Sequence, residues 1–201
     1  MEIDLFTGGI FDTNCFFLPA SGILFDAPQD AAGWLAKRGH KVKTLLLTHG
    51  HVDHAWDGAR IQREHGCRVG YHRDGQEMLT KPGFFREIGF NWDIELIAAD
   101  CLIEETPSME IEGVELQVLL VPGHCPGSLC FFHKASRTLF GGDVLFAGGI
   151  GRWDLPGGDG PLLISGIVEK LFPLGDEVKV LPGHGPATTI GRERTTNPYV
   201  T

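Results

Sequence analysis

The chemistry this sequence can perform is concentrated in seven residues. The run Thr48-His49-Gly50-His51-Val52-Asp53-His54 places three imidazoles and a carboxylate within six residues. It closes the apolar run Val42–Thr48, which reads as a buried strand. At a strand end alternate residues share a face, so His49 and His51 point the same way. The turn that follows can aim Asp53 and His54 at a neighbouring point. Two nitrogens for one cation, and a carboxylate with a nitrogen for a second, is the economical assignment. Imidazole and carboxylate are standard ligands for zinc and other divalent first-row metals.

Three later segments end in the same manner. Val121-Pro122-Gly123-His124 and Val180-Leu181-Pro182-Gly183-His184 each stop an apolar run on Pro-Gly-His, and Phe140-Gly141-Gly142-Asp143 stops one on an aspartate. Glycine lets the backbone turn tightly at each stop. Loops at strand ends on a rigid scaffold are where catalytic side chains concentrate. Of the nine histidines, His40, His65, His72 and His133 lie in no such context and read as structural or solvated. The other five, with Asp53 and Asp143, form a candidate ligand set.

The elements that must present these residues are short. Met1–Phe6, Asn14–Leu18 and Gly22–Phe25 are apolar runs broken by Gly, Asp and Pro, as expected of strands. Gln29–Arg38 predicts a helix, and Asp53–His65 a continuous helix with Asp53 as N-cap. Cys67–Tyr71 predicts a strand and His72–Leu79 a helix. Lys81–Asp100 is the least regular stretch and carries Phe84, Phe85, Phe90 and Trp92. Strands follow near Cys101–Glu105, Val114–Val121, Leu129–His133 and Thr138–Gly141, then a helix over Pro161–Leu171 and a strand over Val178–Leu181. Two β-rich halves with helices alongside suggest a layered α/β sandwich, with strand order left open.

Composition narrows the function. A chain of 201 residues suits one domain, and its 42% hydrophobic and 21% charged content is that of a soluble globular protein. The formal net charge of -9 opposes a nucleic-acid surface, which needs clustered Lys and Arg. No apolar run reaches the ~20 residues that span a bilayer. The acidic opening MEIDLF lacks the basic stretch and apolar core of an export signal. Cys15, Cys67, Cys101, Cys125 and Cys130 include no CxxC pair, which suggests neither a disulfide framework nor a zinc-thiolate site. The expectation is a cytoplasmic enzyme acting on a small molecule, with no nucleic-acid or membrane partner.

The HxHxDH motif of His49–His54, with His124, Asp143 and His184, resembles the metallo-β-lactamase superfamily, and the resemblance runs from Asp26 to Tyr199. It implies an αββα sandwich of two mixed β-sheets flanked by helices, spanning residues 1–201 as a single domain, with metals at one edge. It implies two divalent cations, zinc ahead of iron or manganese. His49, His51 and His124 would hold the first, and Asp53, His54 and His184 the second. Asp143 and a water or hydroxide would bridge both. Two segments, Gly151-Arg152-Trp153-Asp154-Leu155-Pro156-Gly157-Gly158 and the stretch from Gly183 to Pro198, are similar to short bacterial glyoxalase II-like thioesterases. Full-length glyoxalase II continues into a helical domain that contributes to glutathione binding; this chain ends soon after Pro198, so the thiol is left open.

The implied activity is hydrolysis of a thioester, with the bridging hydroxide attacking the carbonyl while the metals stabilise the oxyanion and the leaving thiolate. Asp53 has two possible jobs, metal ligand and acceptor of the water's proton. Asp26 either orients a ligand imidazole or is a turn residue. Arg152 resembles the position where glyoxalase II sets a basic residue against the thiol's carboxylate, a pairing that suits a guanidinium; the competing role is a salt bridge to Asp154 or Asp159. Phe84, Phe85, Phe90 and Trp92 either wall a pocket or pack as core or dimer contact. Cys125 and Trp56 read as packing beside the site, and Arg192, Glu193, Arg194 and Asn197 as a network closing the C-terminus. Competing activities are a mononuclear iron persulfide dioxygenase, with iron at His49, His124 and Asp143, and a lactonase or other ester hydrolase. The retained His184 and the segment Gly151–Asp159 favour the thioesterase. A nuclease is disfavoured by the acidity and a β-lactamase by the missing export signal. A non-catalytic module is disfavoured by the intact ligand set.

Overall fold

The N-terminal apolar runs fold into β1 (Asp4–Gly8), β2 (Thr13–Leu18) and β3 (Ile23–Phe25), paired antiparallel in sequence order. The structure, a computed structural model, describes residues 1–89, 91–92 and 94–200. Helix α1 (Ala31–Arg38) carries the chain to β4 (Thr44–Leu46), which lies parallel to β3. Helices α2 (Val52–Ala55) and α3 (Gly58–His65) lead to β5 (Arg68–Tyr71). Helices α4 (Gln76–Thr80) and α5 (Phe84–Glu87) precede β6 (Cys101–Leu102), the last strand of a mixed sheet ordered β1-β2-β3-β4-β5-β6.

The second sheet begins with the meander β7 (Thr106–Ile111), β8 (Val114–Leu120), β9 (Leu129–His133) and β10 (Thr138–Gly142). A small hairpin of β11 (Leu145–Phe146) and β12 (Gly149–Ile150) follows, then α6 (Gly160–Gly166). Strand β13 (Lys179–Pro182) returns parallel to β10, and β14 (Thr188–Thr189) leads into α7 (Ile190–Thr196). The order is β14-β13-β10-β9-β8-β7. This is the expected αββα sandwich of two mixed sheets. Among the described residues no helix is long and apolar enough to cross a membrane.

Side-chain alternation assigns each strand residue to a layer. Phe16 and Leu18 of β2 join Phe25, Leu46, Leu129, Phe131 and Phe140 between the sheets. There the rings of Phe25 and Phe140 stack 3.8 Å apart, fastening one sheet to the other. Cys15 and Phe17 point the other way, under Ala31, Leu35, Ala59 and Ile61 of α1 and α3. Cys130 and Phe132 of β9 likewise turn outward beneath Leu163, Ile167 and Leu171. The central strands β2 and β9 are thus covered on both faces.

Several boundaries differ from the sequence expectation. The continuous helix over Asp53–His65 is broken at Trp56 and Asp57, and its N-cap is His51 rather than Asp53. The cause is tertiary: Asp57 N–H donates to the Ala27 carbonyl (2.9 Å), and the Asp57 carboxylate accepts from Ala32 N–H (2.9 Å). Asp57 thus anchors α1 in place of continuing the helix. The helix over His72–Leu79 starts with a tight turn at Arg73–Gly75, and Pro161–Leu171 loosens beyond Gly166 into a wider turn. The strand at Cys101–Glu105 stops at Leu102, and β7 was not expected; it carries Pro107 and takes the sheet edge, where a missing N–H is tolerated. Helix α7 was not expected either, although Thr189 caps it by accepting from Arg192 N–H and Pro198 follows its end.

Candidate metal centre

All the predicted ligands arrive at one edge of the sandwich. His49 and His51 follow β4, Asp53 and His54 sit in α2, and His124, Asp143 and His184 follow β8, β10 and β13. Backbone bonds tie the two sheets together here: Leu129 N–H donates to Thr48 carbonyl (2.8 Å), and Asn14 N–H to Gly183 carbonyl (2.7 Å). The ligand atoms are therefore placed by both sheets at once.

Two adjacent triads result, His49/His51/His124 and Asp53/His54/His184, and Asp143 reaches both. In the first, His49 Nε2 lies 3.2 Å from His51 Nδ1 and 3.2 Å from His124 Nε2. In the second, His184 Nε2 lies 3.2 Å from Asp53 Oδ2 and 3.4 Å from His54 Nε2. Asp143 stands 3.2 Å from His54 Nε2, 3.3 Å from His184 Nε2 and 3.6 Å from His124 Nε2.

The outward nitrogens show what the inward ones are for. His54 Nδ1–H donates to Asp26 Oδ2 (2.8 Å), His124 Nδ1–H to the Arg152 carbonyl (2.7 Å) and His184 Nδ1–H to the Phe11 carbonyl (3.0 Å). His49 Nδ1–H meets the Thr48 hydroxyl (3.0 Å), which itself donates to Asp26 (2.9 Å). In this arrangement each of these four rings turns a lone pair on Nε2 toward the centre. Asp143 Oδ1 is buried and accepts no aligned hydrogen bond. A methyl group at Gly183 would stand 2.2 Å from that same oxygen, so the glycine keeps the space around it open. Converging lone pairs and an orphaned carboxylate oxygen fit divalent cations, and the donor set of imidazoles and carboxylates fits zinc, iron or manganese.

Electrostatics follow from this crowding. Burial, then the neighbouring imidazoles, holds His49 well below the ordinary histidine range and His51 down to about 3. Burial would also lower His54, but Asp143, Asp53 and Asp26 outweigh it and raise it well above its ordinary value. His184 goes up to about 10, because its bonds to Asp143 and Asp53 overcome burial. Burial would raise Asp53, yet His54 and His184 bring it to about 2. Without cations the neighbouring carboxylates favour the protonated forms of His54 and His184, the latter up to about pH 10, and cations must displace those protons. Affinity should fall as pH falls from about 10, and calorimetry in buffers of different ionisation enthalpy should register net proton release on filling. No proton release would contradict this placement of charge.

Other predicted residues fall around the centre. Asp26 is both things the sequence allowed: it turns the chain after β3 at φ 61° and orients His54. Arg152 borders the cavity over the site, and its guanidinium holds Asp154 in a two-bond pair of 2.7 and 2.6 Å. Phe85 and Trp92 line the cavity while Phe84 packs behind them; Phe90 lies outside the described residues. Cys125 is buried against Met78, and burial pushes its thiol up to about 12, consistent with packing. Glu193 and Asn197 bind the β11–β12 hairpin through Gly148 N–H and the Gly149 carbonyl, as a closing network would. His65 and His133 accept backbone N–H bonds and His40 pairs with Asp4, all away from the centre. Sequence reasoning missed Thr13, whose hydroxyl donates to Asp53 Oδ2 (2.8 Å), and the wall residues Phe11, Ile88, Phe146, Ile150 and Leu155. Thr13 is forty residues from Asp53 and gives no local signal.

A paired donor set at the strand ends of an αββα sandwich defines a metal-dependent hydrolase, and the chain belongs to the metallo-β-lactamase superfamily, whose sequence model matches residues 11–184. Among its relatives, the hydroxyacylglutathione hydrolase GloC of Haemophilus influenzae is 36% identical over 100% of this chain and 98% of its own. The BLEG-1 B3 metallo-β-lactamase superposes with a TM-score of 0.92 at 32% identity, covering 100% of both chains. TTHA1623, solved in a di-iron-bound form, superposes with a TM-score of 0.84 at 31% identity over 98% of this chain and 99% of its own.

Proposed function

We propose that the protein hydrolyses thioesters in the manner of glyoxalase II, with two cations, zinc in preference to iron. The carrying observation is the completeness of the second triad beside the first. A mononuclear iron oxygenase has no need of Asp53, His54 and His184 converging at 3.2–3.5 Å. The likeness to GloC supports the thioester as substrate class. Two bound cations would supply an acidified water and an electrophile for the carbonyl oxygen. The chain's own part is to hold and orient. Asp143 keeps a negative charge between the two triads, and Thr13 fixes the oxygen of Asp53 that faces His184. Asp53 is also the nearby carboxylate that can accept the water's proton. Arg152 at the rim is where a carboxylate on the leaving thiol can be met, by exchange with Asp154. Five unpaired cysteines support a reducing compartment such as the cytoplasm.

Purified protein should carry close to two metals per chain and hydrolyse S-lactoylglutathione in a chelator-sensitive way. One iron per chain, no hydrolysis and oxygen uptake with glutathione persulfide would move it to the dioxygenases. The likeness to BLEG-1 favours a second reading, opening of a β-lactam ring by the same centre. Nitrocefin turnover exceeding thioester turnover would establish that reading instead.

A further inference from the structure

The cavity above the metal centre has largely apolar walls. Its volume is about 450 Å³, in the range that encloses a whole small molecule. Its floor is His51, Asp53, His124, Asp143 and His184. Its apolar lining comprises Phe85, Ile88 and Trp92, which share one hydrophobic cluster, and Phe146, Ile150 and Leu155. The two groups come from unrelated parts of the chain, the stretch after α4 and the β11–β12 hairpin with the loop beyond it. The Phe11 ring meets Trp92 edge-on at 5.2 Å and extends the apolar surface to the β1–β2 turn.

Among the described residues, Arg152 is the one Lys or Arg that lines the cavity, and Asp154 pairs with it at the exposed rim. A carboxylate held between the apolar residues, away from the floor and from Arg152 at the rim, would lose its hydration and meet no charged side chain among the described residues. A hydrocarbon chain there would be sheltered from water.

We propose that this cavity is an acyl-chain subsite, and that the substrates are thioesters of uncharged aliphatic or aromatic acyl groups larger than lactoyl. The proposal rests on the thioesterase reading for the reaction and on the walls for the acyl group. Once the carbonyl sits over the floor, the acyl chain lies along Trp92 and Leu155. Each methylene so sheltered gains about fourfold in kcat/KM.

The test uses zinc-loaded protein and N-acetylcysteamine thioesters of acetyl, butyryl, hexanoyl, octanoyl and succinyl groups. The expected result is kcat/KM rising about fourfold per methylene through the saturated series, with the succinyl thioester at least 100-fold below hexanoyl. Leu155→Asp should flatten the series. Binding of butyrate, hexanoate and octanoate, measured by calorimetry, should tighten with the same increment. A flat series with succinyl equally good overturns the subsite and leaves the thioesterase standing. If no thioester turns over, the thioesterase reading falls and the carboxylates decide: the same increment in affinity sustains the apolar subsite, and equal affinities overturn it.

Discussion

Replacing Asp143 with asparagine is expected to lower thioester hydrolysis on the order of 10³-fold and to leave about one metal per chain in place of two. The carboxylate lies between the two triads, within 3.2–3.6 Å of His54, His124 and His184. Its Oδ1 is sealed from water with no aligned donor, so a cation is the partner the site provides room for. Asparagine keeps the shape and removes the charge. It also turns an N–H₂ group toward imidazole lone pairs or a cation, where a donor is unwelcome. In a buried site a lost charge of this kind costs several kcal/mol, which is the source of the factor of a thousand. Metal analysis by mass spectrometry and steady-state kinetics read the two effects separately. Two retained metals with activity within tenfold of the parent would remove Asp143 from its bridging role.

The site was more legible in sequence than the fold around it, for a physical reason. Side-chain ligands for zinc are mostly His, Cys, Asp or Glu, and this chain places such residues at strand ends marked by glycine, so residue type and local context coincide at the candidates His49, His124, Asp143 and His184. The layers were legible because strand alternation and apolar runs are local. What was hidden depends on contacts distant in sequence. The break in the helix after Asp53 is made by Asp57 bonding to Ala27 and Ala32. Thr13 acquires a role only because β2 begins beside His184. The cavity brings Phe85 and Trp92, which the sequence left between pocket wall and core packing, together with Ile88, Phe146, Ile150 and Leu155, which no local signal marked. Arg152 shows the limit from the other side. Its side chain could be weighed for substrate contact, but its most definite service in the structure is through the backbone, where its carbonyl orients His124. No side-chain motif announces such a carbonyl.

Asp26 gives the second large effect, and a pair of substitutions separates its two jobs. It is fully enclosed and accepts three bonds: Thr48 N–H at 2.7 Å, the Thr48 hydroxyl at 2.9 Å and His54 Nδ1–H at 2.8 Å. Asp26→Ala strands three buried donors, each worth about 1–3 kcal/mol. It also places alanine at φ 61°, a region that Asp and Asn tolerate better. The expected loss is roughly 3–5 kcal/mol, out of the 5–15 kcal/mol typical of a domain, with a fall in Tm of roughly 10 °C or more. Asp26→Asn keeps the turn and the bond from Thr48 N–H, and the fold should survive. Its amide, however, donates where Oδ2 accepted. Facing a donor, His54 must carry its proton on Nε2, toward Asp143 and the second triad. The Thr48 hydroxyl, now itself receiving a bond, turns its proton to His49 Nδ1, and His49 too must carry its proton on Nε2. One carboxylate therefore sets the tautomer of a ligand in each triad, and the amide reverses both. Metal affinity should drop 10- to 100-fold with a near-normal Tm for the metal-free protein. Competition with a chromophoric chelator measures the first and thermal unfolding in chelator the second. An asparagine variant that binds metal as tightly as the parent would mean that the imidazoles are oriented by packing alone.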